Sequence, residues 1–171
     1  IVEHEPTKTD LLRDLDHLVK PEAILASNTS SIPITRLAAV TQRPERFIGM
    51  HFMNPVPVMR LIEMVRAITT SDETLAEARE FGESLGKRVI VAKDRAGFIV
   101  NMLLVPYLLE AIRMYESGFA EREDIDLGMV PSITHLDRPG DLIVPDICIG
   151  SFGPVASVAL FTRRPLREIR S

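Results

Sequence analysis

Two periods of apolar residues alternate along the first part of the chain. In "TKTDLLRDLDHLV" leucines 11, 12, 15 and 18 recur at helical spacing, and Pro21 stops the pattern. "AILASN" at 23–28 is a short strand-like run that ends in "SNTSS", hydroxyl and amide side chains that suit a turn. Pro33 fits the first turn of a short helix, "PITRLAAV". "RFIGMHF" and "RLIEMV" read as strands, which the proline-rich bend between them folds against each other. "TTSDETLAEAREFGESLGK" is a helix capped by Thr70 or Ser71, with Leu75, Ala78 and Leu85 on one face and Gly86 at its end. "RVIVA" at 88–92 completes an α/β alternation.

The pattern then becomes helical. "AGFIVNMLLVPYLLEAIRMYESG", 96–118, predicts one long helix kinked near Pro106 and ended by Gly118, and "EREDIDLGM" continues in helical character to Met129. From Val130 onward lysine disappears and five of the twelve prolines crowd in, so an irregular tail is expected. The predicted organisation is an α/β domain over 1–95, the start of a helical domain over 96–129 and a divergent tail over 130–171.

Composition narrows the classes. The 171 residues are 46% hydrophobic, enough for one cored domain or parts of two. Twenty basic against 24 acidic residues give −4, and the one dense basic run, "RRPLREIR", reads as a solvated tail, so no nucleic-acid partner is expected. The single Cys148 excludes an internal disulfide framework and fits a reducing, cytoplasmic compartment. "FIVNMLLVPYLL" is too short and too polar to span a bilayer, and no signal peptide is read. The start on Ile1 rather than Met is expected to reflect processing or truncation upstream.

His51 stands out among His4, His17, His51 and His135 because it ends an apolar strand beside Asn54 and faces Glu63 across the bend. A carboxylate on one imidazole nitrogen fixes the tautomer and frees the other to take a proton from a hydroxyl, as a general base does. The plainer alternative is a hairpin in which strand alternation exposes Glu63, and spacing alone favours it. Metal chemistry is not expected, for there is no HxH, HExxH or cysteine pair. Without GxSxG, hydrolase readings fall. A phosphate-cradling GxGxxG is missing as well.

Taken together, "SNTSS", "HFMNPVPVMRLIE" and "AGFIVNMLLVPYLLEAI" resemble the 3-hydroxyacyl-CoA dehydrogenases over residues 1–129, most closely the bacterial 3-hydroxybutyryl-CoA dehydrogenases. The resemblance implies the C-terminal half of a Rossmann NAD-binding domain followed by the first helices of an all-α dimerisation domain. It makes His51 the general base for the substrate 3-hydroxyl and Glu63 its orienting carboxylate. By the same likeness Ser30 would bond the substrate oxygen and Asn101 the substrate carbonyl region and His51. Asn28, Ser30, Asn54, Glu3 and Lys8 would lie along the NAD, and an acyl-CoA would be the substrate, in fatty-acid or butanoate metabolism.

The chain departs from the family pattern in three places. The glycine-rich loop and ribose-binding acid that precede this region in the family are absent, Met102 stands where "FIVN" is usually followed by Arg, and "VPSITHLDRPGDLIVPD" replaces a "PMGP" segment. A working enzyme and a non-catalytic remnant or partner-binding fragment are therefore both expected readings. A half-built sheet would also leave an open edge prone to pairing.

Overall fold

A computed structural model describes residues 1–134. They fall into two compact units, one ending at Met102 and the other beginning at Leu103. The first contains α1 (Glu5–Leu18), β1 (Leu25–Ser27), α2 (Ile34–Ala38), β2 (Phe47–Phe52), β3 (Leu61–Arg66), α3 (Asp72–Ser84) and β4 (Arg88–Lys93). Its sheet has the order β1-β2-β3-β4, with β1 parallel to β2, β2 antiparallel to β3 and β3 parallel to β4.

Both faces of the central hairpin are covered, so its strands do not alternate between core and solvent. Phe47 and Val65 pack with Leu12, Ile34 and Leu37 of α1 and α2, while Ile48, Met50, Ile62 and Met64 pack with Ala78 of α3. Residues 47–51 and 61–65 are buried throughout. This overturns the expectation that alternation exposes Glu63: the side chain is 0% exposed. Strands buried on both sides read as continuous apolar runs, in which period two carries no information.

α1 also turns a different face inward from the leucine stripe. Lys8, Leu12 and Asp16 are its buried residues, whereas Leu11 and Leu18 are exposed. Burial of the two charges is possible because each is paired, Lys8 with Glu3 and Asp16 with Arg43 at 2.6 Å. In α3 the cap is Ser71, whose hydroxyl accepts the Thr74 N–H, and Leu85 is exposed at the C-terminal end.

Gly49 lies in β2 beside Ile34 and Val65. A Cβ there would come within 2.7 Å of Ile34 Cδ1 and 2.9 Å of Val65 Cβ. Both neighbours are fully buried and have nowhere to move. Gly49→Ala should therefore lower unfolding free energy by about 1–3 kcal/mol, read as a fall in urea midpoint at unchanged m-value.

The second unit contains most of α4 (Val100–Glu116), together with α5 (Arg122–Thr134). The long helix expected from residue 96 starts at Val100 instead, because Gly97 and Phe98 take positive φ of 82° and 45° and form a turn. Pro106 sits inside α4, and Gly118 (φ 67°) ends the helix region while Phe119 N–H bonds the Met114 carbonyl. α5 continues to Thr134, past the composition change at Val130, since Pro131 removes one backbone donor without ending the helix. The rest of the expected irregular tail lies outside the described residues.

Candidate active site

The β2–β3 register pairs His51 with Glu63 directly, on the face that also carries Gly49 and Val65. His51 Nδ1 lies 2.7 Å from Glu63 Oε2, and the two side chains are 6% and 0% exposed. The other Glu63 oxygen, Oε1, accepts the N–H groups of Ile99 at 2.9 Å and Val100 at 3.0 Å. A carboxylate accepts at both oxygens, so the pattern assigns the Nδ1 proton to His51, and in the neutral ring Nε2 is then the acceptor. The Phe98 ring meets the imidazole edge-on, with centroids 5.4 Å apart.

Positive φ at Gly97 and Phe98 makes that arrangement. Phe98 in the left-handed region is strained, and the turn it forms delivers two amides to Glu63 and one ring to His51. Reading the stretch from residue 96 as one helix missed this contribution. The available signal was a glycine directly ahead of a long apolar run.

Ser30 Oγ stands 3.1 Å from His51 Nε2, on the opposite side of the ring from Glu63. The loop that presents it is folded around Glu3. Glu3 Oε1 accepts from Thr29 Oγ1, Ser30 N–H at 2.9 Å, and Ser31 N–H and Oγ at 3.3 Å each. Thr29 in turn accepts the Ile32 N–H at 2.9 Å. Glu3 Oε2 pairs with Lys8 Nζ at 3.1 Å. Burial alone would push the Glu3 carboxyl up, but bonds from Thr29, Lys8 and the Ser30 N–H, with the Lys8 charge, outweigh it and hold the group below the ordinary carboxylate range.

Because its folded value is lowered, Glu3 adds stability that is complete above the ordinary value of 4.5 and is lost as pH falls through the folded value. Glu3→Gln should flatten the acid limb of stability between about pH 6 and about pH 3. With Glu3 38% exposed, the effect is on the order of 0.5–1 kcal/mol, measured by urea unfolding across that range.

The remaining predicted residues separate. Asn28 Oδ1 accepts the Phe52 N–H at 3.0 Å, which leaves its exposed amide NH₂ as a donor at the carboxyl end of β1. Asn54 is exposed at the carboxyl end of β2, before a cis bond to Pro55. Lys8 is 5% exposed and committed to Glu3, which leaves it little surface for a cofactor. Asn101 sits half-buried in the first turn of α4 and makes no hydrogen bond to His51, Ser30 or Glu63. Among the described residues no group of three or more His, Cys, Asp or Glu could hold a metal ion.

Fold and site together define an α/β protein with a hydrogen-bonded Ser30–His51–Glu63 chain at the carboxyl edge of the parallel β1–β2 pair, where open α/β sheets bind ligands. The family model for the NAD binding domain of 3-hydroxyacyl-CoA dehydrogenase matches residues 1–95, and that for the C-terminal domain matches 97–134. A 3-hydroxybutyryl-CoA dehydrogenase of Mycobacterium tuberculosis is 51% identical over 137 residues, covering 79% of this chain and 48% of the relative. The mitochondrial hydroxyacyl-coenzyme A dehydrogenase of Sus scrofa is 51% identical over 129 residues, 75% of this chain and 41% of the relative. Among solved structures, (S)-3-hydroxybutyryl-CoA dehydrogenase PaaH1 from Ralstonia eutropha superposes with a TM-score of 0.73 at 48% identity, covering 75% of this chain and 45% of that one.

The chain belongs to the 3-hydroxyacyl-CoA dehydrogenase family, and its described fold is a Rossmann-like NAD-binding domain followed by the start of the helical C-terminal domain. It spans about half the length of the relatives it matches.

Proposed function

We propose that this chain takes part in NAD-dependent interconversion of (3S)-3-hydroxyacyl-CoA, 3-hydroxybutyryl-CoA in particular, and 3-oxoacyl-CoA. The observation that carries the reading is the hydrogen-bonded line from Ser30 through His51 to Glu63. Glu63 holds the ring by its Nδ1–H, so Nε2 is the atom that takes the proton of the substrate 3-hydroxyl during oxidation and returns it during reduction. Ser30 Oγ, beside the same nitrogen, orients the substrate oxygen toward it. Asn101, at the start of α4, would hold the substrate carbonyl region.

The residues present fit the nicotinamide end of NAD. Asn28 offers a free amide donor beside Ser30 and Asn54 at the strand ends, and the bound nicotinamide would supply the hydride acceptor. Glu3, bonded to the Ser30 loop, would border the cofactor from the same side. Residence in the cytoplasm and dimerisation through the helical segment belong to the same proposal; no helix among the described residues is long and apolar enough to cross a membrane.

Mixing the purified chain with NADH and acetoacetyl-CoA tests the reading, with loss of NADH absorbance as the expected result. Absence of that loss would overturn it in favour of the alternative, a non-catalytic fragment.

A further inference from the structure

The bend at 53–60 between β2 and β3 is pinned from outside itself. Met53 and Met59 are buried near its two ends, while residues 54–58 are exposed. Pro55 and Pro57 have no backbone N–H, so few donors are available to close it. The Val58 and Met59 N–H groups supply one turn, both bonding the Pro55 carbonyl at 3.0 Å. The carbonyls of Val56 and Met59 receive the Lys87 ammonium instead, at 2.6 Å for Met59. A lysine laid across the last carbonyls of a turn caps it as it caps the end of a helix.

Lys87 reaches the bend from a fixed base. Gly86, at φ 73°, ends the α3 region in a left-handed turn, and the Lys87 N–H returns to the Gly82 carbonyl at 3.3 Å. One residue on, the Arg88 N–H bonds the Arg60 carbonyl, and Arg88 pairs with Leu61 in the β3–β4 register. The backbone on both sides of Lys87 is therefore held, and its side chain joins the amino end of β4 to the bend at the carboxyl end of β2. Its acceptors are neutral carbonyls on one loop, so what the charge holds is the shape of that loop. The dyad does not need this contact, since β2–β3 pairing sets His51 against Glu63. Asn54 does need it, because it stands outside the strands, directly before the capped turn.

We infer that Lys87 is a positioning residue for the cofactor, acting through the bend to hold Asn54 where the nicotinamide end of NAD binds. The tether rests on the bonds to Val56 and Met59 alone, whereas its target, NAD, rests on the reading proposed above. Loss of the ammonium frees the turn and weakens cofactor binding, and it leaves the contact of His51 with Glu63 as it is.

The test compares the full chain with three variants. Lys87→Met keeps the length of the stem without its donors, Lys87→Arg restores donors, and Arg88→Met removes an exposed neighbouring charge. Hydrogen exchange at the Val58 and Met59 amides reads the turn, and fluorescence titration with NADH reads affinity. Lys87→Met should speed that exchange and raise the NADH Kd, each by about 5–10-fold, the size of one hydrogen bond's net contribution. Lys87→Arg and Arg88→Met should both stay within about twofold of the parent, well inside that effect. Unchanged exchange in Lys87→Met, faster exchange with an unchanged Kd, no recovery in Lys87→Arg, or equal weakening by Arg88→Met would each overturn the inference while the NAD reading stands. A parent chain that binds no NADH would overturn both, and is told apart because the parent itself fails. Neither readout needs turnover, so a chain that binds NADH without reducing acetoacetyl-CoA would strike the catalytic reading and leave this one in place.

Discussion

Glu63→Ala is expected to lower the free energy of unfolding by about 3–5 kcal/mol, the cost of leaving several buried donors without their charged acceptor together with the cavity created. The residue is wholly buried, and its two oxygens take three hydrogen bonds, from His51 Nδ1 and the amides of Ile99 and Val100. Truncation leaves all three donors facing a void that closes poorly between β2, β3 and the Gly97–Phe98 turn. Glu63→Gln should cost less, about 1–3 kcal/mol, because its NH₂ must face either the imidazole N–H or the two amides, donor against donor. Urea unfolding followed by circular dichroism measures both. An alanine variant as stable as the parent would mean that the dyad carboxylate is not what holds this corner together.

His51→Gln should reduce the rate of NADH-dependent acetoacetyl-CoA reduction by about 10²–10⁴-fold, the usual contribution of a positioned acid or base. The loss should fall on kcat, with KM changed little, because the imidazole handles a proton that moves only in the transition state. A glutamine can still accept the Ser30 hydroxyl, so the loop should stay in place and stability should fall less than for Glu63→Ala. A rate within about threefold of the parent would remove His51 from the proton path.

The strands were legible because apolar runs bounded by Pro and Gly leave little choice, and the pairing of "RFIGMHF" with "RLIEMV" followed from the bend between them. The burial of Glu63 was not legible. Its neighbours are apolar on both sides, and a carboxylate inside such a run is explained only when the backbone donors arriving from residues 99 and 100 are known. α1 misled for a related reason: Lys8 and Asp16 look like surface residues until their partners, Glu3 just ahead of the helix and Arg43 far along the chain, are placed. The positive φ of Phe98 has no sequence mark, since a side chain in that region is held by its surroundings rather than by its own preference. Ser30, His51 and Glu63 could be listed from the motif blocks; the contact of Ser30 with His51 needed the Glu3-bound loop, whose anchor lies 27 residues from Ser30.

His51 and Glu63 are register partners across adjacent antiparallel strands, and that relation imposes parity on the chain. A one-residue insertion or deletion inside either strand would send every later side chain to the other face and carry one member of the dyad away from its mate. The connecting stretch 53–60 is free of that rule, because its length alters only the path between the strands, although Lys87 Nζ does tether it through the carbonyls of Val56 and Met59. Length variation is therefore tolerable in the bend and forbidden a few residues to either side, so the site is guarded by counting as much as by chemistry.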